Sequence, residues 1–228
     1  MSGRWKEERH EVVLAAREMA SLGLVTGSSG NVSMRLRRDD DTRELLAVTP
    51  SGKPYATLKD EDIVITDFDV ESVEGELTPS TETLLHVAVY RARPDVQAVI
   101  HTHSVFSSVA AVAGLDIPPI IDEMMIAIGG PVKVSRYAFP GTQELADNVC
   151  TALDERNGAL IRSHGAVGVG RDLREALDVC ALLERAAQIF IYASMLGKAN
   201  TLPSEVIEAE LSIYRMRRQD MGAAPRAD

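Results

Sequence analysis

Segments with the period-two alternation of strands and segments with the apolar spacing of helices follow one another along the whole 228-residue chain. The predicted strands cover residues 32–36, 44–48, 62–66, 96–102, 159–161 and 166–169. The predicted helices cover residues 12–23, 78–93, 104–113, 141–156, 172–196 and 202–218. This interleaving predicts an α/β fold. Many connections are Gly- or Pro-containing turns rather than helical crossovers, which favours a mixed or antiparallel sheet with helices on both faces.

The chain has no repeat, low-complexity run or linker, so we expect one domain over residues 1–228 with a loose tail after about residue 221. The formal net charge of −10 argues against nucleic acid or an anionic membrane as a partner. No uncharged apolar run is long enough to span a membrane, and no signal peptide is visible. Cys150 and Cys180 fall in predicted helices and are interpreted as reduced thiols of a cytoplasmic protein.

His101 and His103 form a His-x-His pair at the end of a predicted strand. Residues two apart on a strand point to the same face, so both imidazoles can reach one ion. The pair alone is weak evidence, because two ordinary surface histidines give the same pattern. His164 is the candidate third ligand, since it follows an apolar strand and precedes Gly165, where the backbone can bend or approach closely. Three histidines with an open fourth position are typical of catalytic zinc.

Glu82 is the candidate acid/base residue, in the first turn of a helix opened by Ser80. A carboxylate there is often only a favourable helix N-terminal residue. The functional interpretation gains support because this helix leads after one turn into the His101/His103 strand. His86 lies one turn after Glu82 on the same helix face, where it either orients the carboxylate or is a packed helix histidine.

Three polar turns can bind a phosphate through backbone amides, hydroxyls and, in the last of them, a helix N-terminus. Their candidate residues are Gly30 and Asn31, Ser51 and Gly52, and Ser80 and Thr81. Each turn alone is more often an ordinary turn or helix cap. No GxxxxGK[ST] or GxGxxG motif is present, so nucleotide binding is unsupported.

Taken together and in this order, five segments resemble the class II aldolase/adducin family, close to its members that cleave L-fuculose 1-phosphate. The segments are TGSSGNVS at 26–33, TPSG at 49–52, PSTE at 79–82, HTHS at 101–104 and HG at 164–165. The resemblance runs from the first helix to about Met195. It implies a three-layer fold, a homotetramer with active sites at subunit borders, and a zinc-dependent lyase that cleaves a ketose 1-phosphate to dihydroxyacetone phosphate and an aldehyde.

The resemblance also implies roles for individual residues. It makes His101, His103 and His164 the ligands of one zinc ion per subunit and Glu82 the proton-transfer residue. It assigns the phosphate of a small sugar phosphate to Gly30, Asn31, Ser51, Gly52, Ser80 and Thr81.

The chain departs from the family pattern on the aldehyde side. The family pattern leads us to expect a tyrosine just before Met125, but this chain has Asp122 and Glu123 there. It also leads us to expect a tyrosine late in the last helix, and Tyr214 lies close to the expected position. Glu123 and Tyr214 are therefore the aldehyde-side candidates, and the preferred aldehyde is open between a fuculose-type and a 5-deoxy- or 5-methylthio-pentulose partner. Alternative functions are a methylthioribulose-1-phosphate dehydratase, a pentulose-phosphate 4-epimerase, whose members carry aspartate in place of Glu82, and a non-catalytic adducin-like scaffold.

Overall fold

The computed structural model describes residues 4–38 and 41–222 of the chain. The strands of the sheet are β1 (Asn31–Arg38), β2 (Asp41–Val48), β3 (Val64–Asp67), β4 (Ser72–Glu74), β5 (Ala98–Thr102), β6 (Gly158–Ile161) and β7 (Gly165–Gly170). The helices are α1 (Lys6–Ser21), α2 (Thr83–Ala92), α3 (Val105–Ala113), α4 (Asp122–Ala127), α5 (Gln143–Leu153), α6 (Leu173–Met195) and α7 (Ser204–Gly222). Two short 3₁₀ turns, Tyr55–Thr57 and Asp60–Asp62, lie between β2 and β3.

The seven strands form one sheet in the order β4-β3-β2-β1-β5-β7-β6. Every pair of neighbouring strands in this sheet is antiparallel. The one parallel pairing within the described residues is an isolated bridge between Val134 and Leu160. The predicted fold class is therefore confirmed, and the sheet is more uniformly antiparallel than expected.

The sheet is the middle of three layers. Along β2, Leu45 and Ala47 pack toward α1 and α6, whereas Leu46 and Val48 pack toward α2 and α5. This alternation places a core on each face of the sheet, and a third apolar cluster joins α3 and α4 to α6. All five residues of β5 are buried, since this strand lies near the centre of the sheet. The strand that carries His101 is therefore held from both faces.

Two elements were not predicted from sequence. Strand β4 has three residues that are mostly exposed at the sheet edge, so it carries no buried alternation. Helix α4 has six residues, too few for a helical period to show. Helix α2 begins at Thr83, so Glu82 occupies the N-cap position rather than the first turn, and its side chain makes no capping hydrogen bond. The predicted loose tail lies outside the described residues beyond 222.

None of the helices within residues 4–38 and 41–222 combines the length and apolar character that a membrane crossing requires. Both cysteines are free thiols; Cys180 is buried against the sheet and Cys150 is half-buried. His10, interpreted from the sequence as a surface residue, is exposed beside Asp60.

Candidate active site

The imidazoles of His101 and His103 point to the same side of the sheet, as strand alternation predicts. His101 is fully buried at the penultimate position of β5, and the half-buried His103 follows the end of the strand. Their Nε2 atoms lie 2.8 Å apart. The two imidazoles are therefore close enough to share one ion.

The tertiary structure brings His164 to the same point. His164 lies in the turn that joins β6 to β7, and β7 pairs with β5 in the sheet. Its Nε2 atom is 3.2 Å from Nε2 of His101 and 3.1 Å from Nε2 of His103. Three residues from two separate parts of the sequence thus converge, as the metal hypothesis requires.

The electrostatics of His103 and His164 favour the neutral forms that ligate metals. Burial and the neighbouring imidazoles lower the pKa of His103 to about 4, and burial and His101 lower the pKa of His164. The Nδ1 atom of His101 lies 2.8 Å from the Ala166 carbonyl oxygen, which can only accept, so Nδ1 carries a proton and Nε2 is the ring nitrogen that faces the cluster. One proton can bridge only one pair of these nitrogens, whereas a divalent ion can bind all three.

Glu82 completes the cluster with a buried carboxylate. Its Oε2 atom lies 3.2 Å from Nε2 of His101, and its Oε1 atom lies 3.5 Å from Nε2 of His164. Burial raises the pKa of Glu82, but contacts with the two imidazoles and with Asn31 outweigh burial and bring it to about 2, so the group is a carboxylate at neutral pH. Oε1 is buried and has no hydrogen-bond partner within the described residues.

The donor set fits a divalent metal ion. One ligand atom from each of Glu82, His101, His103 and His164 can be chosen so that all lie within 4.8 Å of one another. Imidazole nitrogens and carboxylate oxygens are ligands of zinc and of other first-row divalent metals. The unpartnered Oε1 atom and the facing lone pairs are what a cation at this point would satisfy.

A buried hydrogen-bond chain leads away from Glu82. Its Oε2 accepts from Asn31 Nδ2 at 3.1 Å, and Asn31 Oδ1 contacts Nε2 of His86. Nδ1 of His86 lies 2.6 Å from Ser33 Oγ, which lies 2.8 Å from the Tyr90 hydroxyl. His86 is fully buried, and burial lowers its pKa to about 3, so it is neutral. The open question about His86 is thereby answered: it is packed in the core and it also reaches Glu82 through Asn31.

The three predicted phosphate turns lie side by side. The amide of Val32, which follows the first turn, donates to Thr49 Oγ1 at 3.1 Å. The amide of Ser51 donates to the Thr78 carbonyl at 2.9 Å, and the amide of Ser80 donates to the Thr49 carbonyl at 3.1 Å. These backbone bonds tie the three turns into one surface beside Glu82.

The residues predicted for the phosphate differ in their surroundings. Ser51, Gly52 and Thr81 are exposed, and Gly30 is half-buried. Ser80 is buried, and its Oγ accepts from the Glu82 amide at 3.3 Å. The Asn31 amide is buried and already bonded to Glu82 and His86, which leaves one N–H of its Nδ2 group for a ligand.

Two residues whose side chains hold the backbone of the site in place were not predicted from the sequence. The Tyr55 hydroxyl donates to the Gly30 carbonyl at 2.6 Å and so fixes the first phosphate turn. The Glu184 carboxylate accepts from the amides of Phe106 and Ser107 at 2.9 and 2.8 Å, which secures the start of α3 just after His103. The contact of Glu184 with the start of α3 cannot be predicted from a local sequence pattern, because Glu184 is 78 residues from Phe106.

The aldehyde-side candidates make other contacts in this chain. The exposed Glu123 carboxylate pairs with Arg185 at 2.6 Å. The buried Tyr214 hydroxyl donates to the Glu155 carbonyl at 2.7 Å and lies 3.0 Å from Asn157 Oδ1. Neither contact involves the imidazole cluster, and an aldehyde-side role for both residues stays a prediction.

Gly165 allows the close approach that brings β7 against β5. An alanine Cβ at this position would lie 2.1 Å from the Thr102 carbonyl oxygen and 3.3 Å from Cε1 of His101. Replacing Gly165 with alanine is therefore expected to cost about 1–3 kcal/mol of unfolding free energy and to weaken metal binding. Thermal unfolding and metal content check both effects.

The neighbouring change Ser163→Gly is the matched control for Gly165→Ala. Ser163 has a φ of 55°, a left-handed conformation that glycine adopts without the Cβ penalty. We expect this variant to be at least as stable as the original chain and to bind metal normally. An unchanged melting temperature and metal content in Gly165→Ala would contradict the close-approach interpretation.

The fold and the cluster together define a class: an α/β protein with a buried Glu/His cluster that could hold a divalent metal ion. Comparison with known proteins narrows that class. Residues 10–191 match the family model described as the class II aldolase and adducin N-terminal domain. The chain therefore belongs to the class II aldolase/adducin family, and it is a class II aldolase, a lyase of carbohydrate metabolism.

Similar proteins support this assignment over most of the chain. A 5-deoxy-D-ribulose 1-phosphate aldolase from Bacillus thuringiensis serovar kurstaki is 34% identical over 204 residues, which cover 89% of this chain and 93% of that protein. An L-fuculose phosphate aldolase from Escherichia coli K12 is 34% identical over 181 residues, which cover 79% of this chain and 81% of that protein. A solved L-fuculose 1-phosphate aldolase superposes with a TM-score of 0.85 at 31% identity, covering 92% and 96% of the two chains.

Proposed function

We propose that this protein is a zinc-dependent aldolase that reversibly cleaves a ketose 1-phosphate to dihydroxyacetone phosphate and an aldehyde. The observation that carries the proposal is the convergence of three Nε2 atoms within 3.2 Å of one another, with the Glu82 carboxylate beside them. Cleavage between C3 and C4 leaves negative charge on the dihydroxyacetone phosphate half. That charge requires both electrostatic stabilisation and a proton at C3, and the cluster offers side chains for each.

His101, His103 and His164 would hold one zinc ion per subunit. When bound, the ion would supply Lewis-acid stabilisation of the negative charge that develops on the substrate oxygens, worth several kcal/mol. The three imidazoles contribute the neutral nitrogen ligands. The hydrogen bond from His101 Nδ1 to the Ala166 carbonyl fixes the ring orientation and the tautomer.

Glu82 would move the proton at C3. In the synthetic direction its carboxylate takes that proton, and in the cleavage direction the carboxyl group returns it. The low pKa of Glu82 keeps the group in the accepting form at neutral pH. General acid/base transfer of this kind typically contributes ~10²–10⁴-fold to a rate.

The joined turns would hold the substrate phosphate. Backbone amides and hydroxyls can bind a dianion without a lysine, and a helix N-terminus adds a favourable dipole. The proposed contacts are Gly30, Asn31, Ser51, Gly52, Ser80 and Thr81. Binding the phosphate here would fix the position of the reacting carbon relative to Glu82. A fixed position lowers the entropic part of the activation barrier.

We propose a 5-deoxypentulose 1-phosphate as the preferred ketose. Three relatives carry that activity in their names. One of them, from Rhodospirillum rubrum, is 33% identical over 207 residues and is named as a 5-methylthioribulose-1-phosphate/5-deoxyribulose-1-phosphate aldolase. Asp122 and Glu123 stand where a fuculose-type aldolase is expected to have a tyrosine. A short apolar aldehyde requires fewer polar partners than a hydroxylated one.

An aldehyde panel tests the proposed function. The metal-loaded protein is incubated with dihydroxyacetone phosphate and acetaldehyde, methylthioacetaldehyde or lactaldehyde, and ketose phosphate formation is followed. Metal-dependent product with acetaldehyde as the best partner is expected. Loss of water from a ketose phosphate without fragments would indicate a dehydratase, and inversion at C4 without cleavage an epimerase. No turnover together with no bound metal would favour a scaffold.

We also propose that the protein assembles as a homotetramer. Helix α3, which begins just after His103, exposes an apolar stripe of Val105, Val109 and Val112. An uncovered stripe of this kind beside a candidate active site is typical of a contact between copies. The cytoplasmic location stays a prediction from the sequence.

The Val109→Glu change is expected to convert the tetramer to smaller species, because a charge would be buried at the proposed contact. Light scattering during size-exclusion chromatography measures the mass. Leu14→Glu is the matched control, since Leu14 on α1 is exposed to 51% and Val109 to 48%. Equal masses for both variants and the original chain would remove α3 from the proposed interface.

A further inference from the structure

The direction of each hydrogen bond in the side-chain network between Glu82 and Tyr90 follows from the Asn31 amide, which donates through Nδ2 and accepts through Oδ1. Asn31 turns its Nδ2 group, which can only donate, toward Oε2 of Glu82 at 3.1 Å, so Oε2 accepts. The Asn31 Oδ1 atom then faces His86, and it too can only accept. The Nε2 atom of His86 must therefore carry the proton.

The same logic continues beyond His86. This neutral imidazole has one proton, so Nδ1 is an acceptor and Ser33 Oγ donates to it. The Ser33 oxygen in turn accepts from the Tyr90 hydroxyl, 2.8 Å away. All of these side chains are buried, so water does not compete for the bonds. The orientation of the Asn31 amide is thus fixed from both sides.

This arrangement makes the two oxygens of Glu82 unequal. Oε2 is occupied by the Asn31 amide, whereas Oε1 is buried and accepts from no described residue. We propose that His86 is a positioning residue that, through Asn31, keeps Oε2 engaged and leaves Oε1 as the atom that exchanges the proton with C3 of the substrate. In the synthetic direction the C3–H bond breaks, the proton binds to Oε1, and the electron pair stays on C3 to attack the aldehyde carbon.

The inference rests on the proposed aldolase function and adds a residue that touches neither the substrate nor the imidazole ligands. Without a donor at the position of His86 Nε2, the Asn31 amide is free to rotate and present its oxygen to Glu82. The carboxylate would then lose its anchor and turn within the site. Misplacement of a reacting group by about 1 Å can cost on the order of 10²-fold in rate.

Two polar substitutions of similar size separate hydrogen bonding from packing. In His86→Gln the side-chain amide reaches the position of Nε2 and can donate to Asn31, while in His86→Asn it ends one bond short. We expect kcat for aldol formation and C3 proton exchange to fall ~10–100-fold in His86→Asn and to recover to within ~3-fold of the original chain in His86→Gln. Bound zinc should stay within ~2-fold in both variants, because the imidazole ligands are untouched, and the recovery in His86→Gln separates positioning from a general loss of structure.

The outcomes distinguish this inference from the proposed function. If the original chain exchanges the C3 proton and His86→Asn matches it, or if both variants lose activity equally with normal zinc content, the positioning role is overturned and the aldolase proposal stands. If the original, zinc-loaded chain itself shows neither exchange nor aldol formation, the proposed function fails first. Circular dichroism melts establish that each variant compared is folded.

Discussion

Replacing Glu82 with glutamine is expected to lower proton exchange at C3 of dihydroxyacetone phosphate by ~10²–10⁴-fold while leaving zinc bound. Glutamine has the shape of glutamate, and its side-chain oxygen can still accept from Asn31 Nδ2. Its amide cannot take up a proton, however, so the step assigned to Oε1 is lost. Exchange of the C3 hydrogen with deuterated solvent, followed by NMR without any aldehyde present, measures that step alone.

The control for Glu82→Gln is the same substitution at Glu71. Glu71 is exposed in the segment between β3 and β4 and makes no contact with the cluster. We expect Glu71→Gln to exchange at the original rate, and both variants to carry the zinc content of the original chain. Unchanged exchange in Glu82→Gln would remove Glu82 from the mechanism. Loss of zinc in that variant would instead identify the carboxylate as a required ligand.

The second large effect is expected at His103, where alanine should remove the bound metal and, as a consequence, the activity. Two imidazoles would remain, and the half-buried position of His103 makes its loss less damaging to the core than loss of the fully buried His101. Because changes outside the ligand shell already weaken metal binding 10–100-fold, loss of a direct ligand should exceed about 100-fold. Zinc content after dialysis and aldol formation with added zinc are the measurements.

His10→Ala is the matched control for His103→Ala. It deletes the same side chain from an exposed position on α1, where the imidazole lies 3.2 Å from an Asp60 carboxylate oxygen. Zinc content and activity should be those of the original chain. Full activity and stoichiometric zinc in His103→Ala would contradict a ligand role for His103. Partial recovery at high zinc concentration would agree with weakened binding at an otherwise intact site.

Most of the secondary structure could be predicted because it depends on local patterns. Apolar spacing and turn residues located six of the seven strands and six of the seven helices found in the described residues, with boundaries that differ by up to six residues. The two exceptions, β4 and α4, are too short to show a period. The boundary of α2 mattered more, since α2 starts at Thr83 and Glu82 occupies the N-cap, where its carboxylate makes no capping hydrogen bond and instead contacts the imidazoles.

The candidate site could be predicted in part. Alternation at the end of β5 placed His101 and His103 on one face. Local sequence context made His164 and Glu82 candidates, and the resemblance to a family then gave all four residues their roles. The Asn31 side chain was assigned to phosphate alone, and its bonds to Glu82 and His86 were not foreseen. Those contacts span 51 and 55 residues of sequence, and no spacing rule covers such distances.

The sequence by itself determined what short-range geometry controls: the α/β class, the shared face of His101 and His103, and the positions of the polar turns. Only the tertiary structure decided which distant groups meet. Pairing of β7 with β5 carries His164 to the histidine pair, and packing of α2 against the sheet carries His86 and Glu82 to Asn31. The physical reason is that backbone preferences act over a few residues, whereas the positions of these side chains follow from burial and strand pairing across the whole chain.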